Sequence, residues 1–404
     1  MYFYFLFSLA YTQHAPPPPL QNGTMSTNCT DDLTLLRRYY LSTTYSLIFA
    51  VGLVGNLTAI GIYVTMLRPW KSSSIIMVNL ALADLLYVLT LPFLVHYYAR
   101  GEAWHLGCMF CRLVRVAFHL NLYSSLLFLP CLAAFRWLVV TQPLRAAQVQ
   151  RCRWGVAACT VVWVAAITEV APMLYIISTT KGEGGAINRT VCVDFASSAK
   201  PECVWQYGWL LTVLGFLLPL VVVATCNAGI ARELAKGPYK ASPCRVRARR
   251  LAFTILAVFV VCFLPYHVLR LLRVDTLRAP ERWSCTARQG IHAAYIVSRP
   301  LAGANTLYNL ALYTLAGDRF HQALQRVLSG CRQRFRCLLT LVYTAKITTS
   351  RTKVINPEDG KKCSARQRVS KKTRRVVQRK VMAINPHVNS FIRSLMEFEW
   401  RTSN

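Results

Sequence analysis

Seven blocks of apolar residues, each long enough to cross a bilayer, constrain the fold of this chain more than any other feature. They run roughly over residues 40–67, 74–99, 108–140, 154–177, 204–232, 248–274 and 290–315. A helix needs about 20 apolar residues to span some 30 Å of hydrocarbon. Composition agrees. The chain is 54% hydrophobic and 16% charged, whereas soluble domains carry about 25% charged residues. Its 404 residues therefore do not read as two or three soluble domains. The expected fold class is all-α integral membrane, a seven-transmembrane helix bundle.

The position of the charge sets the topology. A formal net charge of +31 would by itself suit nucleic acid or an anionic surface. Its placement argues against nucleic acid as a partner and for the lipid bilayer. From Cys331 to the end there are 18 Lys/Arg against four Asp/Glu, and much of the remainder flanks the apolar blocks. One set of connections carries Arg68 and Lys71; Arg145, Arg151 and Arg153; and a basic stretch from Arg232 to Arg250. The other set also contains acids, among them Glu102, Glu183, Asp194, Glu202, Asp275 and Glu281. Excess Lys/Arg marks the cytoplasmic side, so the chain is expected to be multi-pass in the plasma membrane with its N-terminus extracellular. Three sequons, at Asn22, Asn28 and Asn188, fall on that outer side and are glycosylation candidates. A fourth, at Asn56, lies inside an apolar block and is not.

Four regions follow: an extracellular N-terminal segment (1–39), the bundle (40–316), an amphipathic juxtamembrane helix (317–330) and a basic, disordered cytoplasmic tail (331–404). The apolar start, Met1 to Tyr11, lacks the basic n-region of a secretory signal, which leaves cleavage open. In the juxtamembrane segment Phe320, Leu324, Val327 and Leu328 recur at helical spacing, as in a helix lying in the inner interface. Cys331 and Cys337 beyond it are candidates for palmitoylation or ordinary thiols. The tail reads as a segment attracted to anionic lipid.

Ionisable residues inside spans are expensive and read as functional by default. Arg115 lies 21 residues before Arg136, about 32 Å along a helix, which puts it near the outer mouth if Arg136 marks the inner end. His119 follows one turn later on the same face. His267, Arg270 and Arg273 repeat at i, i+3 and i+6, and Arg299 precedes Tyr313 by 14 residues. Together with His96, Tyr97 and Tyr98 these residues can line one outward-opening cavity, with Arg273 at its rim. Arg100 reads as snorkelling to headgroups or water. No matching acid sits at the same depth, so the arginines are expected to need an anion. Guanidinium forks pair with carboxylate or phosphate through two parallel bonds, and two or three forks facing each other favour a compact dianion.

Ordered landmarks complete the reading: Gly55-Asn56, Leu80-Ala-Leu-Ala-Asp84, Trp163, Pro219, Cys262-Phe-Leu-Pro265, Asn305 and Asn309-Leu-Ala-Leu-Tyr313. In this order they resemble rhodopsin-type (class A) G-protein-coupled receptors. The runs Met66 to Ser72, Leu91 to Tyr98, Phe118 to Ser125 and Ala294 to Leu301 resemble the 2-oxoglutarate receptors. The nucleotide, succinate and cysteinyl-leukotriene receptors of the same purinergic-like branch are less similar. The resemblance covers roughly residues 28–330.

The resemblance implies a receptor activated by a small dicarboxylate, most closely 2-oxoglutarate, with Arg115, His119, Arg270, Arg299, Tyr98 and His267 at the ligand. It implies a heterotrimeric G protein, of the Gq class, engaged through Arg136, Asn309 and Tyr313. Cys111 is expected to bridge to Cys192 and Cys29 to Cys285, while Cys108 and Cys203 leave a third bridge open. Asp84, Asn305 and Asn309 form a polar set that holds sodium in this family, or a hydrogen-bond network without an ion. Two departures stand out. Phe135-Arg136-Trp137 lacks the usual acid, with Arg245 where a sixth-span acid often sits, and Leu310 replaces a proline, which puts the seventh-span kink in doubt. Pro130 can add a bend to the third span.

Nucleotide and cysteinyl-leukotriene receptors are the rival readings within the branch, and an organic-anion transporter or channel the rival outside it. No P-loop, zinc-protease or serine-nucleophile signature occurs, so no enzyme, cofactor or metal is expected. Cys108-Met-Phe-Cys111 has zinc-like spacing without a second ligand pair.

Overall fold

The computed structural model of the chain describes residues 33–142, 148, 150–181, 190–197, 201–235, 243–316 and 318–352. Asn22, Asn28, Cys29, Asn188, the apolar start and the tail beyond Thr352 lie outside the described residues. Two compact units divide the chain, Met1–Arg326 and Val327–Asn404.

Among the described residues, six helices are long and apolar enough to cross a membrane: α1 (Leu36–Thr65), α2 (Ser72–Ala99), α3 (Gly107–Thr141), α4 (Cys152–Ile176), α5 (Pro201–Leu234) and α6 (Arg249–Arg278). In hydrocarbon every backbone N–H and C=O must be satisfied within the protein, which a helix does along its own length. The seventh span is two helices, α7 (Cys285–Gly303) and α8 (Asn305–Ala316). A further helix, α9, runs from Asp318 to Thr352. Two short antiparallel strands, β1 (Thr179–Lys181) and β2 (Thr190–Cys192), fold back within the second outer connection.

The burial pattern is that of a membrane bundle. Val54, Val161 and Val221 are exposed, while Asn56, Asp84, His119 and Arg270 are fully buried. The 35-residue α3 packs against α2, α4 and α5, and its helix continues unbroken through Pro130. From Cys111 to Ala133 it presents one buried face to the bundle.

Three boundaries differ from the sequence reading. The first span begins at Leu36 rather than residue 40. The juxtamembrane helix does not stop at 330 but continues to Thr352. The break in the seventh span does not depend on a proline at 310: it falls at Ala304, whose N–H bonds back to the Pro300 carbonyl at 2.8 Å. Pro300 has no N–H to give the helix and Gly303 lowers its propensity. Leu310 instead packs onto α1 at Gly55, where any Cβ would overlap the leucine side chain.

Candidate functional site

The outer half of the bundle is organised from a disulfide. Cys111, on the first turns of α3, is bonded to Cys192 at the end of β2, with Cα atoms 5.8 Å apart. That bond fixes the Cys192 carbonyl, which accepts from Arg115 Nη2 at 2.9 Å and from the Tyr97 hydroxyl at 3.3 Å. It also delivers Asp194, two residues further on, into the mouth of the bundle.

Asp194 overturns the expectation that the arginines lack an acid at their depth. Its side chain is buried and lies 3.9 Å from Arg115 Nη1 and 3.5 Å from Arg299 Nη1. The Tyr295 hydroxyl donates to it. A sequence count assigns Asp194 to an outer loop and so to solvent, whereas the disulfide draws the loop inward. Burial opposes ionisation of this carboxyl, but Arg299, Arg115, His119 and Tyr295 outweigh it and hold the group well below the usual carboxylate range. Tyr98 of α2 completes the cluster, its hydroxyl accepting from Arg115 Nη1 at 3.0 Å and also from Arg299 Nη2. Both guanidiniums lie over aromatic faces, Arg115 at 5.8 Å from the Tyr97 and Tyr98 centroids and Arg299 at 5.5 Å from Tyr98.

A second cluster is built around Arg270 of α6, which is fully buried. Arg270 Nη1 donates to the Tyr123 hydroxyl of α3 at 2.6 Å. Nη2 reaches the Gly208 carbonyl at 3.2 Å and the Thr212 hydroxyl at 3.1 Å, both on α5, and His267 Nδ1 at 3.2 Å. A guanidinium only donates, so His267 accepts at Nδ1. Its ring stacks on Phe216, with centroids 4.6 Å apart. All these partners are neutral, and among the described residues Arg270 has no ion pair. Gly215 of α5 lets the Tyr123 ring approach: a Cβ there would lie 2.6 Å from Tyr123 Cε1 and 3.3 Å from Glu169 Oε2. Glu169 of α4, which the sequence reading passed over, hydrogen-bonds none of the three arginines.

His119 stands between the clusters. Its Nδ1 lies 3.0 Å from the Arg115 carbonyl, which can only accept, so Nδ1 carries a proton. Nε2 faces the Tyr266 hydroxyl at 3.2 Å. Three buried N–H positions of the site have no partner among the described residues: Arg115 Nε, Arg270 Nε and His267 Nε2. Buried donors of this kind call for an acceptor.

The structure thus brings Arg115, Arg299 and Tyr98 into one cluster, Arg270 and His267 into another, and His119 between them. His96 does not line the cavity; it is exposed on the opposite face of α2 from buried Tyr97 and Tyr98. Arg273 is half-buried and Arg100 exposed. Sequence reasoning missed Asp194, Tyr123, Thr212 and Tyr295. A signal for Asp194 was its spacing, two residues after a cysteine already expected to be tied to α3.

The chain matches the 7 transmembrane receptor (rhodopsin family) model over residues 55–313. It belongs to the rhodopsin family of seven-transmembrane receptors. The receptor is 46% identical to 2-oxoglutarate receptor 1 of Rattus norvegicus over 296 residues, 73% of this chain and 86% of that one. The Mus musculus protein of that name is 45% identical over the same shares. P2Y purinoceptor 1 of Meleagris gallopavo is 36% identical over 317 residues, 77% and 86% of the two chains. Membership makes this a multi-pass membrane protein of a receptor family, with a G protein as partner and a small-molecule ligand.

Deeper in the receptor, Asp84 accepts from Asn121 at 2.8 Å, Thr306 at 3.1 Å and Asn309 at 3.0 Å. Asn121 and Thr306 extend the expected polar set. Asn305, also buried, bonds to Thr306 rather than to Asp84, and Tyr313 donates to Asn56 at 3.4 Å. The donors present form a hydrogen-bond network on the Asp84 carboxylate. At the inner end a cavity of about 580 Å³ is lined by Lys71, Phe135, Arg136, Asn227, Ile255 and Arg319, among others, and by no acid among the described residues. Cys285 is disulfide-bonded; its expected partner Cys29 lies outside the described residues. Cys108 carries a free thiol, so the third outer bridge is not formed.

Proposed function

We propose that the receptor is activated by a small dicarboxylate, most closely 2-oxoglutarate, at the plasma membrane with its N-terminus outside, and that it signals through a heterotrimeric G protein of the Gq class. The observation that carries the ligand class is a charge balance. Of three buried arginines in the outer half, two are in contact with one acid and the third with none among the described residues, which leaves two positive charges for two carboxylates. A monoanion would leave one guanidinium uncompensated, and a nucleotide polyphosphate would exceed the balance.

One carboxylate goes to Arg270, with His267 Nε2 as a further donor. The other goes to Arg115 and Arg299, where it shares the guanidiniums with Asp194 and displaces the Tyr98 hydroxyl. His119 keeps the two ends in register. Bridging α6 to α3 and α7 draws their outer ends together, and a ligand shifts the equilibrium only if it binds that contracted arrangement better. The inner end of α6 then swings out and opens the basic cavity around Arg136 to the G protein, with Asn309 and Tyr313 following the change in α8. The names of the rat and mouse relatives support the same ligand.

The test is calcium and inositol-phosphate signalling in cells expressing the receptor, titrated with 2-oxoglutarate, succinate, nucleotides and a cysteinyl leukotriene. A response to 2-oxoglutarate that Arg115→Ala abolishes supports the proposal. A nucleotide response instead would move the ligand to that of the purinoceptor relatives.

A further inference from the structure

Glu169 of α4 is an acid inside a span that the proposed ligand contacts do not use. An ionisable residue at membrane depth is functional by default, with a partner to be named. Its backbone carbonyl accepts from the Tyr207 hydroxyl of α5, which ties the two helices together at this residue. The side chain is half-buried, and its Oε2 is buried with no hydrogen-bond partner among the described residues. Oε2 borders the same spot as the Tyr123 ring, since a Cβ on Gly215 would meet both. Gly215 lies in a π-helical turn of α5, Val213–Leu217, a distortion frequent at functional sites. Glu169 is also close enough to act electrostatically on the Tyr123 phenol.

Tyr123 has the matching need. Its hydroxyl oxygen accepts from Arg270 Nη1, and a phenol has one proton of its own to donate. Among the described residues no acceptor takes that proton. A buried donor and a buried acceptor thus flank the spot that a side chain at Gly215 would fill, each lacking what the other supplies. We infer that Glu169 is a positioning residue for Arg270: its carboxyl oxygen accepts the Tyr123 proton and so fixes the phenol as the acceptor that holds the guanidinium. Rotation about the Glu169 side-chain bonds closes the remaining gap. The role asks for an acceptor and not for a charge, so the charge balance at the arginines is unaltered. The inference rests on the reading that Arg270 receives one carboxylate of the ligand.

The experiment is a double-mutant cycle between Glu169→Leu and Tyr123→Phe, read as 2-oxoglutarate potency in cells and as melting temperature of the purified, ligand-free receptor. Glu169→Leu should lower potency about fivefold, the loss of one hydrogen bond, and cost nothing further in the Tyr123→Phe background. Glu169→Gln keeps an acceptor oxygen in place and should stay within about twofold of the parent, since one acceptor replaces another. A general packing defect would not be rescued in this way. Additive losses overturn the inference, as does a Gln variant that falls as far as the Leu variant. If Arg270→Ala leaves the response to 2-oxoglutarate intact, the ligand reading itself fails. The ligand-free melting temperatures then decide the Glu169–Tyr123 bond alone, with less-than-additive losses supporting it and additive losses overturning it.

Discussion

Two clusters of arginine at the outer end of the bundle carry the same charge in different settings. Arg115 and Arg299 share a buried acid, Asp194, and a hydroxyl, Tyr98. Arg270 is held by a phenol, a threonine, a carbonyl and an imidazole, with no acid in contact. The outer pair is therefore partly neutralised by the protein itself, and the deep arginine is not. An arriving anion gains most at Arg270, and at the outer pair it must share with a tethered carboxylate. Placement of a charge thus says less about its availability than the partners already seated on it.

The sharpest break in this comparison is substitution of the arginines. Arg270→Ala should cost agonist potency about 100–1000-fold, the loss of a bidentate charge-assisted pair. Because its partners are neutral, surface expression should survive. Arg115→Ala or Arg299→Ala should cost similar potency and also stability, since each leaves buried Asp194 under-compensated at about 3–5 kcal/mol. Thermal-shift assays of purified variants without ligand separate the two outcomes.

Asp194→Asn acts in the other direction. It should lower the ligand-free melting temperature, leaving two guanidiniums facing an amide at a cost of about 1–3 kcal/mol. The stabilisation added by a dicarboxylate should then grow, because the ligand no longer shares. A smaller ligand-induced shift in this variant would mean that Asp194 helps to hold the ligand.

Smaller effects follow from the hydroxyls. Tyr123→Phe removes an acceptor that holds Arg270 in place and should cost about 1 kcal/mol, roughly fivefold in potency. Tyr98→Phe removes the hydroxyl that the ligand must displace from Arg115 and Arg299 and should raise potency by a similar factor. The smallest effect is with pH. The folded-state value of Asp194 is depressed, so its contribution is fully present above the ordinary carboxylate value of about 4. It is lost only as pH falls through the lower folded value. Between pH 5.5 and 7.4 the outer cluster should not titrate, and Asp194→Asn should leave the shape of the potency–pH profile unchanged.

Much of the fold was legible because bilayer crossing imposes a length and a hydrophobicity on each span. Six spans stand within a few residues of their expected ends, and the seventh is divided. The arginines were legible for a related reason: a cation in an apolar span needs a partner. Loop residues carry no such periodicity, so Asp194 read as a surface acid until the Cys111–Cys192 bond placed it inside. Tyr123 and Thr212 were hidden because hydroxyls are unremarkable in a span until a donor is found beside them. His96 shows the converse, since neighbouring residues on a helix face in different directions and only Tyr97 and Tyr98 turn inward. The extent of α9 went unread because its stripe weakens where the basic residues crowd between Cys331 and Arg336.

The most direct measurement is equilibrium binding of 2-oxoglutarate to the purified receptor, beside its two monomethyl esters. With one carboxylate for Arg270 and one for Arg115 and Arg299, blocking either end should weaken binding about a hundredfold, the value of one charge-assisted pair at roughly 3 kcal/mol. Arg270→Ala should erase the penalty at one end only. If either monoester binds as tightly as the diacid, the two clusters do not receive two carboxylates and the account is wrong.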